Sequence, residues 1–311
     1  MKLTGQDELS HPPTTEALWR ESHYFNFHDA SGKIGGITSI GVWPNRDRAE
    51  GIVAIYLSAQ RVLAYRLEGP LTGDGSPFSL GDIRYEMLEP FQRWRLRAEG
   101  DFMTVDPRQG EELTPEYQPP VRVQLDLTWE ALSPPYEYPP ETASLIVGPS
   151  RHYEQTGRIQ GVITIGGQEM PINGYSSRDH SWGIRDWLRP QYWRLILAQF
   201  GPHLTVNAFL GRTEVVTVVS GFVYQGGSNH PIEQVIVEVD PGPAPHLPRG
   251  ATADVVTADG LHLSLKATVT STLPVVFSEG QGMIRVDETL ARFQCGDQTG
   301  YGILELGTRL S

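Results

Sequence analysis

"VQLDLTWEAL", Val123–Leu132, alternates apolar and polar residues over its first eight positions. In an extended chain Val123, Leu125, Leu127 and Trp129 share one face, and Gln124, Asp126, Thr128 and Glu130 share the other. That is a strand with one dry and one wet side. "RWRLRAEG", Arg93–Gly100, keeps the same period, with Arg93, Arg95 and Arg97 on one face and Trp94 and Leu96 on the other. Similar alternation or β-branched runs recur outward in both directions, in "GITSIGVWP", "GIVAIYLS", "YWRLILAQF", "VVTVVSGFVYQ" and "LHLSLKATVT". The 33 glycines and 24 prolines fall largely between such runs, as turns require. Helix signals are sparse. "PTTEALWRE" reads as a short turn capped by Thr14 or Thr15, and "SPPYEYPPETA" as a loop. The predicted fold is all-β and antiparallel, with closed or nearly closed sheets that leave few free edges.

A length of 311 residues fits about two domains. "RDWLRPQYW" passes from one strand through the Leu188–Arg189–Pro190 break into another. The expected division is therefore 1–187 and 188–311, as two barrels or strongly curved sheets in close contact. A net charge of -12 argues against nucleic acid or an anionic membrane as partner. The single cysteine, Cys295, allows no intrachain disulfide and reads as a buried filler. No HxH or HExxH spacing, P-loop or dinucleotide fingerprint occurs, so neither a metal nor a cofactor is expected. No secretory signal and no integral membrane segment are recognisable, and the expected location is the cytoplasm.

The densest chemistry lies in "SSRDHSWGIRDW", Ser176–Trp187. As a strand it puts Arg178, His180, Trp182 and Ile184 on one face and Asp179, Ser181, Gly183 and Arg185 on the other. A bulge at Gly183 would break that register. The functional reading is a carboxylic acid or imidazolium in an apolar pocket, suited to proton transfer. The structural alternative is an Arg–Asp tie between strands, packed by tryptophan. Upstream, Glu154 reads either as a second acid or base or as the partner of Arg158 in a strand ion pair. Glu288 reads as solvated.

"RDHSWG", Arg178–Gly183, resembles the D-H-x-W-G signature of the hydroxyneurosporene-synthase-like, or carotenoid 1,2-hydratase, superfamily. That group includes hydratases of prenylated phenolics, Diels–Alderase-type cyclases and lipid-transfer proteins. "YEMLEPFQRWRLRAEG" (85–100), "LDLTWEALSPPYEY" (125–138), the stretch 152–187 and "TGYGILELG" (299–307) extend the resemblance over most of the chain. The resemblance implies a pair of lipocalin-like β-barrels and a functional role for Asp179 and His180.

Two functions are then in view. One is a cofactor-independent hydratase, dehydratase or cyclase acting on an isoprenoid, polyketide or steroid-like alkene in a barrel pocket. Asp179 would protonate the double bond and His180 would orient or relay the proton. Trp182, Trp187, Tyr192 and Trp193 would line the pocket with Arg178, Arg185 and Glu154. The other is a lipid or isoprenoid carrier without chemistry. The expected partner is a hydrophobic small molecule, with a homodimer left open. Asp179 is assigned to the pocket, and Asp186 to the junction beside Pro190.

Overall fold

The alternation in Val123–Leu132 corresponds to the strand Val121–Ala131, whose Val123, Leu125, Leu127 and Trp129 are all buried. Its wet face carries the Arg95–Asp126 ion pair at 2.6 Å, reached from the neighbouring strand. The computed structural model describes residues 3–59, 61–71, 75–106, 119–244, 247–279 and 282–310.

The first sheet contains β1 (Trp19–Asp29), β2 (Gly35–Trp43), β3 (Arg48–Ser58), β4 (Arg61–Gly69), β5 (Ser79–Leu80), β6 (Ile83–Glu89) and β7 (Arg93–Val105). It continues with β8 (Val121–Ala131), β9 (Tyr136–Glu137), β10 (Ser150–Ile165) and β11 (Gln168–Ile184). The hydrogen-bonded order is β4-β3-β2-β1-β11-β10-β8-β7-β6-β5. Val62–Ala64 of β4 pair with Met103–Val105 of β7, which closes the sheet into a ring, with β5 and β6 as a side flap. The second sheet is a closed up-and-down barrel. Its strands, in order, are β12 (Tyr192–Gln199), β13 (Leu204–Arg212), β14 (Thr217–Gln225), β15 (Ser228–Asp240), β16 (Gly250–Thr257), β17 (His262–Glu279), β18 (Gly282–Cys295) and β19 (Gln298–Arg309). The fold is all-β, as the alternation predicts.

Local structure departs from the sequence reading in the segment read as a loop and keeps to it at Gly183. The stretch read as a loop, residues 133–143, runs into a seven-residue helix, α1 (Pro140–Ile146), with proline at its first position and Glu141 in its first turn. No bulge forms at Gly183. The β1–β11 register runs unbroken from Trp19↔Ile184 to Phe25↔Arg178. Gly183 has φ +121, and a Cβ there would lie 2.6 Å from the Pro149 carbonyl oxygen. Glycine is required because β10 and β11 approach closely at a positive φ.

Each ring is filled with side chains. Phe25, Phe27, Trp94, Phe102 and Trp129 pack the first, and Ile196, Val206, Val255 and Phe293 pack the second. The rings meet by their outer faces, where Ile37, Tyr56 and Val62 of the first pack on Leu197, Leu273, Leu290 and Ile303 of the second. Polar ties cross the same seam. Gln199 Nε2 donates to Ser177 Oγ at 2.6 Å, and Tyr56 O–H donates to the Glu288 carbonyl at 3.1 Å.

Candidate functional site

The alternation of β11 sends the two faces of the Ser176–Trp187 motif to different places. Arg178, His180 and Trp182 point into the first ring. Asp179, Ser181 and Arg185 point out of it, towards the second ring. There the outer faces of the two rings leave a cleft with two adjoining lobes, each of about 180 Å³. Arg20, Tyr24, Ser39, Trp187, Trp193 and Glu305 line both lobes. This candidate cleft lies between the rings, and bulky aromatic residues fill the interior of the first ring.

Asp179 stands at the wall of the lobe that also contains Tyr138, His152, Glu154, Arg185 and Phe209. Among the described residues no group donates a hydrogen bond to its carboxyl. Desolvation by the surrounding protein pushes its pKa up to about 6. His152, Arg185 and Arg20 pull it down, while Glu154 adds to the rise. Burial and the neighbouring Arg20 lower the Arg185 guanidinium to about 10, and it lies over the Trp187 ring at 4.7 Å. Glu154 is held from three sides: Tyr138 O–H donates at 2.9 Å, Asn207 Nδ2 donates from β13, and His152 Nε2 lies at 3.0 Å. This replaces the expected ion pair with Arg158, which is exposed. Glu154 thus ties β10 to the second ring while lining the cleft.

The other face of the motif is a polar plug at one end of the first ring. The turn Gly5–Glu8 folds over that end. Glu8 is fully buried and pairs with Arg178 at 2.6 Å. The Arg178 guanidinium lies about 5 Å from the rings of Trp94, Trp129 and Tyr153. His180 is fully buried, with Nε2 2.9 Å from Glu21 Oε1 and Nδ1 3.0 Å from the Asp7 carbonyl. Burial lowers its pKa, and Glu21 opposes that shift. Trp182 stacks on His11 at 3.9 Å. Of the residues expected to work together, the cleft gathers Asp179, Arg185, Trp187, Trp193 and Glu154. Arg178, His180 and Trp182 lie outside its lining, as does Tyr192, which packs under Arg194. Asp186 sits in the turn after β11, where its Oδ1 accepts the Leu188 N–H at 3.0 Å.

His11, Glu21 and His180 offer ligand atoms within 4.8 Å of one another, the one such His/Glu group among the described residues. They come from distant segments, so no spacing in the sequence announces them. Their donor set fits a divalent cation such as zinc, but they face away from the cleft. The sequence also conceals Glu288 and Glu305. Glu288 is buried, not solvated, because its face of β18 is covered by the first ring. Among the described residues no helix is long and apolar enough to cross a membrane.

No curated protein matches this chain in sequence. Solved structures share its fold. A protein described as an AttH candidate from Nitrosomonas europaea superposes with a TM-score of 0.65 at 16% identity, covering 97% of this chain and 94% of its own. Kievitone hydratase from Nectria haematococca gives 0.63 at 10% identity with the same coverage. CghA bound to Sch210972 gives 0.55 at 11% identity, covering 94% of this chain and 88% of its own. The superpositions show a shared fold, and at these identities the likeness is one of fold alone. Over residues 4–309 the chain matches the family described as a domain of unknown function, DUF7064, and it belongs to that family.

Proposed function

We propose that the protein is a cofactor-independent acid–base hydratase, dehydratase or cyclase that acts on a hydrophobic alkene in the cleft between its two rings. The observation that carries this reading is Asp179: a carboxyl group without a hydrogen-bond donor, facing an apolar cleft, with its pKa raised to about 6 by desolvation. Such a group can hold a proton close to neutral pH and deliver it to a weak base such as a double bond. The faces of Trp187 and Trp193 stabilise the cation that follows. Water at the cleft mouth then gives an alcohol, or an internal alkene gives a ring. The similar folds of a hydratase and of CghA support this class of chemistry. Isoprenoid, polyketide and steroid-like alkenes suit the walls.

The test is turnover on a panel of linear isoprenoids and prenylated phenols in ¹⁸O-water, read by mass spectrometry. Asp179→Asn is expected to lower the rate by about 10²–10⁴-fold while the ligand still binds. Binding without turnover in the wild-type protein would instead identify a carrier. A loss below about tenfold in the variant would point to a cyclase that folds its substrate without an acid.

A further inference from the structure

Glu288 and Glu305 face each other across β18 and β19 as direct register partners. Their side chains leave the same face of the second barrel and enter the same lobe of the cleft. Directly opposed like charges destabilise a sheet, and a purely structural site would place a cation between them. Among the described residues neither carboxyl forms an ion pair with an arginine or lysine. The neighbours supplied are hydrogen-bond donors. Trp193 Nε1–H donates to Glu305 Oε1, and Tyr24 O–H reaches Glu288 Oε2 at 3.4 Å. Glu288 is almost fully enclosed, whereas Glu305 retains a surface on both lobes. Two carboxyls this close in a dry site cannot both ionise, so one proton is held between them. Burial, with the Glu305 charge beside it, pushes the Glu288 carboxyl well above the usual range, and burial raises Glu305 too, against the Trp193 indole N–H that lowers it.

We propose that Glu288 and Glu305 form a proton-sharing carboxyl pair that serves as the second acid–base group of the cleft, on the wall contributed by the second ring. The inference rests on the hydratase or cyclase reading and deepens it. Asp179 gives its proton to one alkene carbon, and the π electrons become the new C–H bond. A water oxygen forms the C–O bond at the resulting cation. The water's surplus proton passes to the Glu305 carboxylate. Alkene plus water has then become alcohol, Asp179 is ionised, and both members of the pair are protonated. Proton exchange through solvent restores the starting state. In ring closure the pair instead accepts the proton beside the final cation, and the C–H electrons form the new double bond. The Trp193 indole N–H holds Glu305 Oε1, and Glu288 hydrogen-bonds the same carboxyl group.

Two measurements on the full chain test this. Infrared spectra with ¹³C-labelled glutamate at pH 7 are expected to contain one protonated glutamate carboxyl that is absent from Glu288→Gln. Absence of that band in the wild-type protein, or its survival in Glu288→Gln, would overturn the pair. On the isoprenoid and prenylated phenol panel, Glu305→Gln is expected to lower kcat by about 100-fold or more with KM within about threefold. Thermal melts should place both glutamine variants near the wild type, since an amide keeps the carboxyl's shape and can still hydrogen-bond the remaining carboxyl. A wild-type kcat in Glu305→Gln, beside an inactive Asp179→Asn, would sink this inference and leave the reading intact. An inactive wild type across the panel would sink the reading and the catalytic role of the pair with it, while the infrared band would still report whether the proton is shared.

Discussion

Asp179 illustrates how one residue's surroundings set its chemistry. Its carboxyl is desolvated, and the arginines nearby compensate only in part. The folded-state pKa, about 6, lies above the ordinary value of 3.8. The folded state therefore binds more protons than the unfolded one between those values, and stability falls as pH rises through that window. Below it the penalty is absent, and above pH 6 it is fully present. The shift corresponds to an order of 2–3 kcal/mol. Asp179→Asn is thus expected to melt several degrees higher than wild type at pH 8, with a smaller gain at pH 4.5. Paired thermal melts decide it. An equal gain at both pH values would mean that the carboxyl is not raised.

At the scale of the element, β11 separates a reactive face from a scaffolding face. The scaffolding face depends on the turn Gly5–Glu8, because Glu8 is the carboxylate that neutralises Arg178 inside the first ring. Tyr153 O–H and the Phe91 and Trp94 N–H groups also converge on Glu8. Breaking a buried ion pair by removing one partner leaves an uncompensated charge, at a cost of about 3–5 kcal/mol. Glu8→Ala is expected to lose that much in a denaturant melt. Glu8→Gln should lose less, since it keeps the shape and part of the hydrogen bonding. A Glu8→Ala protein as stable as wild type would show that Arg178 finds water or another acceptor.

The whole molecule makes the cleft, because its walls come from both rings. Leu273 of β17 is fully buried in the seam against the first ring, whereas Val123 of β8 is fully buried within the first ring. Truncating either side chain to alanine should cost about 1–5 kcal/mol, through lost burial and a residual cavity. Their effects on binding should differ. Leu273→Ala lets the seam relax and is expected to weaken binding of an environment-sensitive apolar dye. Val123→Ala leaves the seam untouched and should bind it as the wild type does. A fluorescence titration separates the two, and equal affinities would place the dye site away from the cleft.

The residues by themselves determined the strands and the two faces of the motif. Period-2 alternation is a local property, so Val123–Trp129 and Arg178–Arg185 could be assigned their faces without any partner. Asp179 and Arg185 were separable from Arg178, His180 and Trp182 on that basis alone. The short helix at Pro140 escaped because seven residues, about two turns, are too few to carry a clear 3.6-residue period. What each face meets was decided only by tertiary structure. Ring closure turned Arg178 and His180 inward, onto Glu8 and Glu21 from the distant N-terminal segment. Packing of ring on ring then buried Glu288 opposite Glu305, where an acidic residue in an alternating strand reads as solvated. Burial depends on which surface covers a face, and that surface comes from residues far away in the chain.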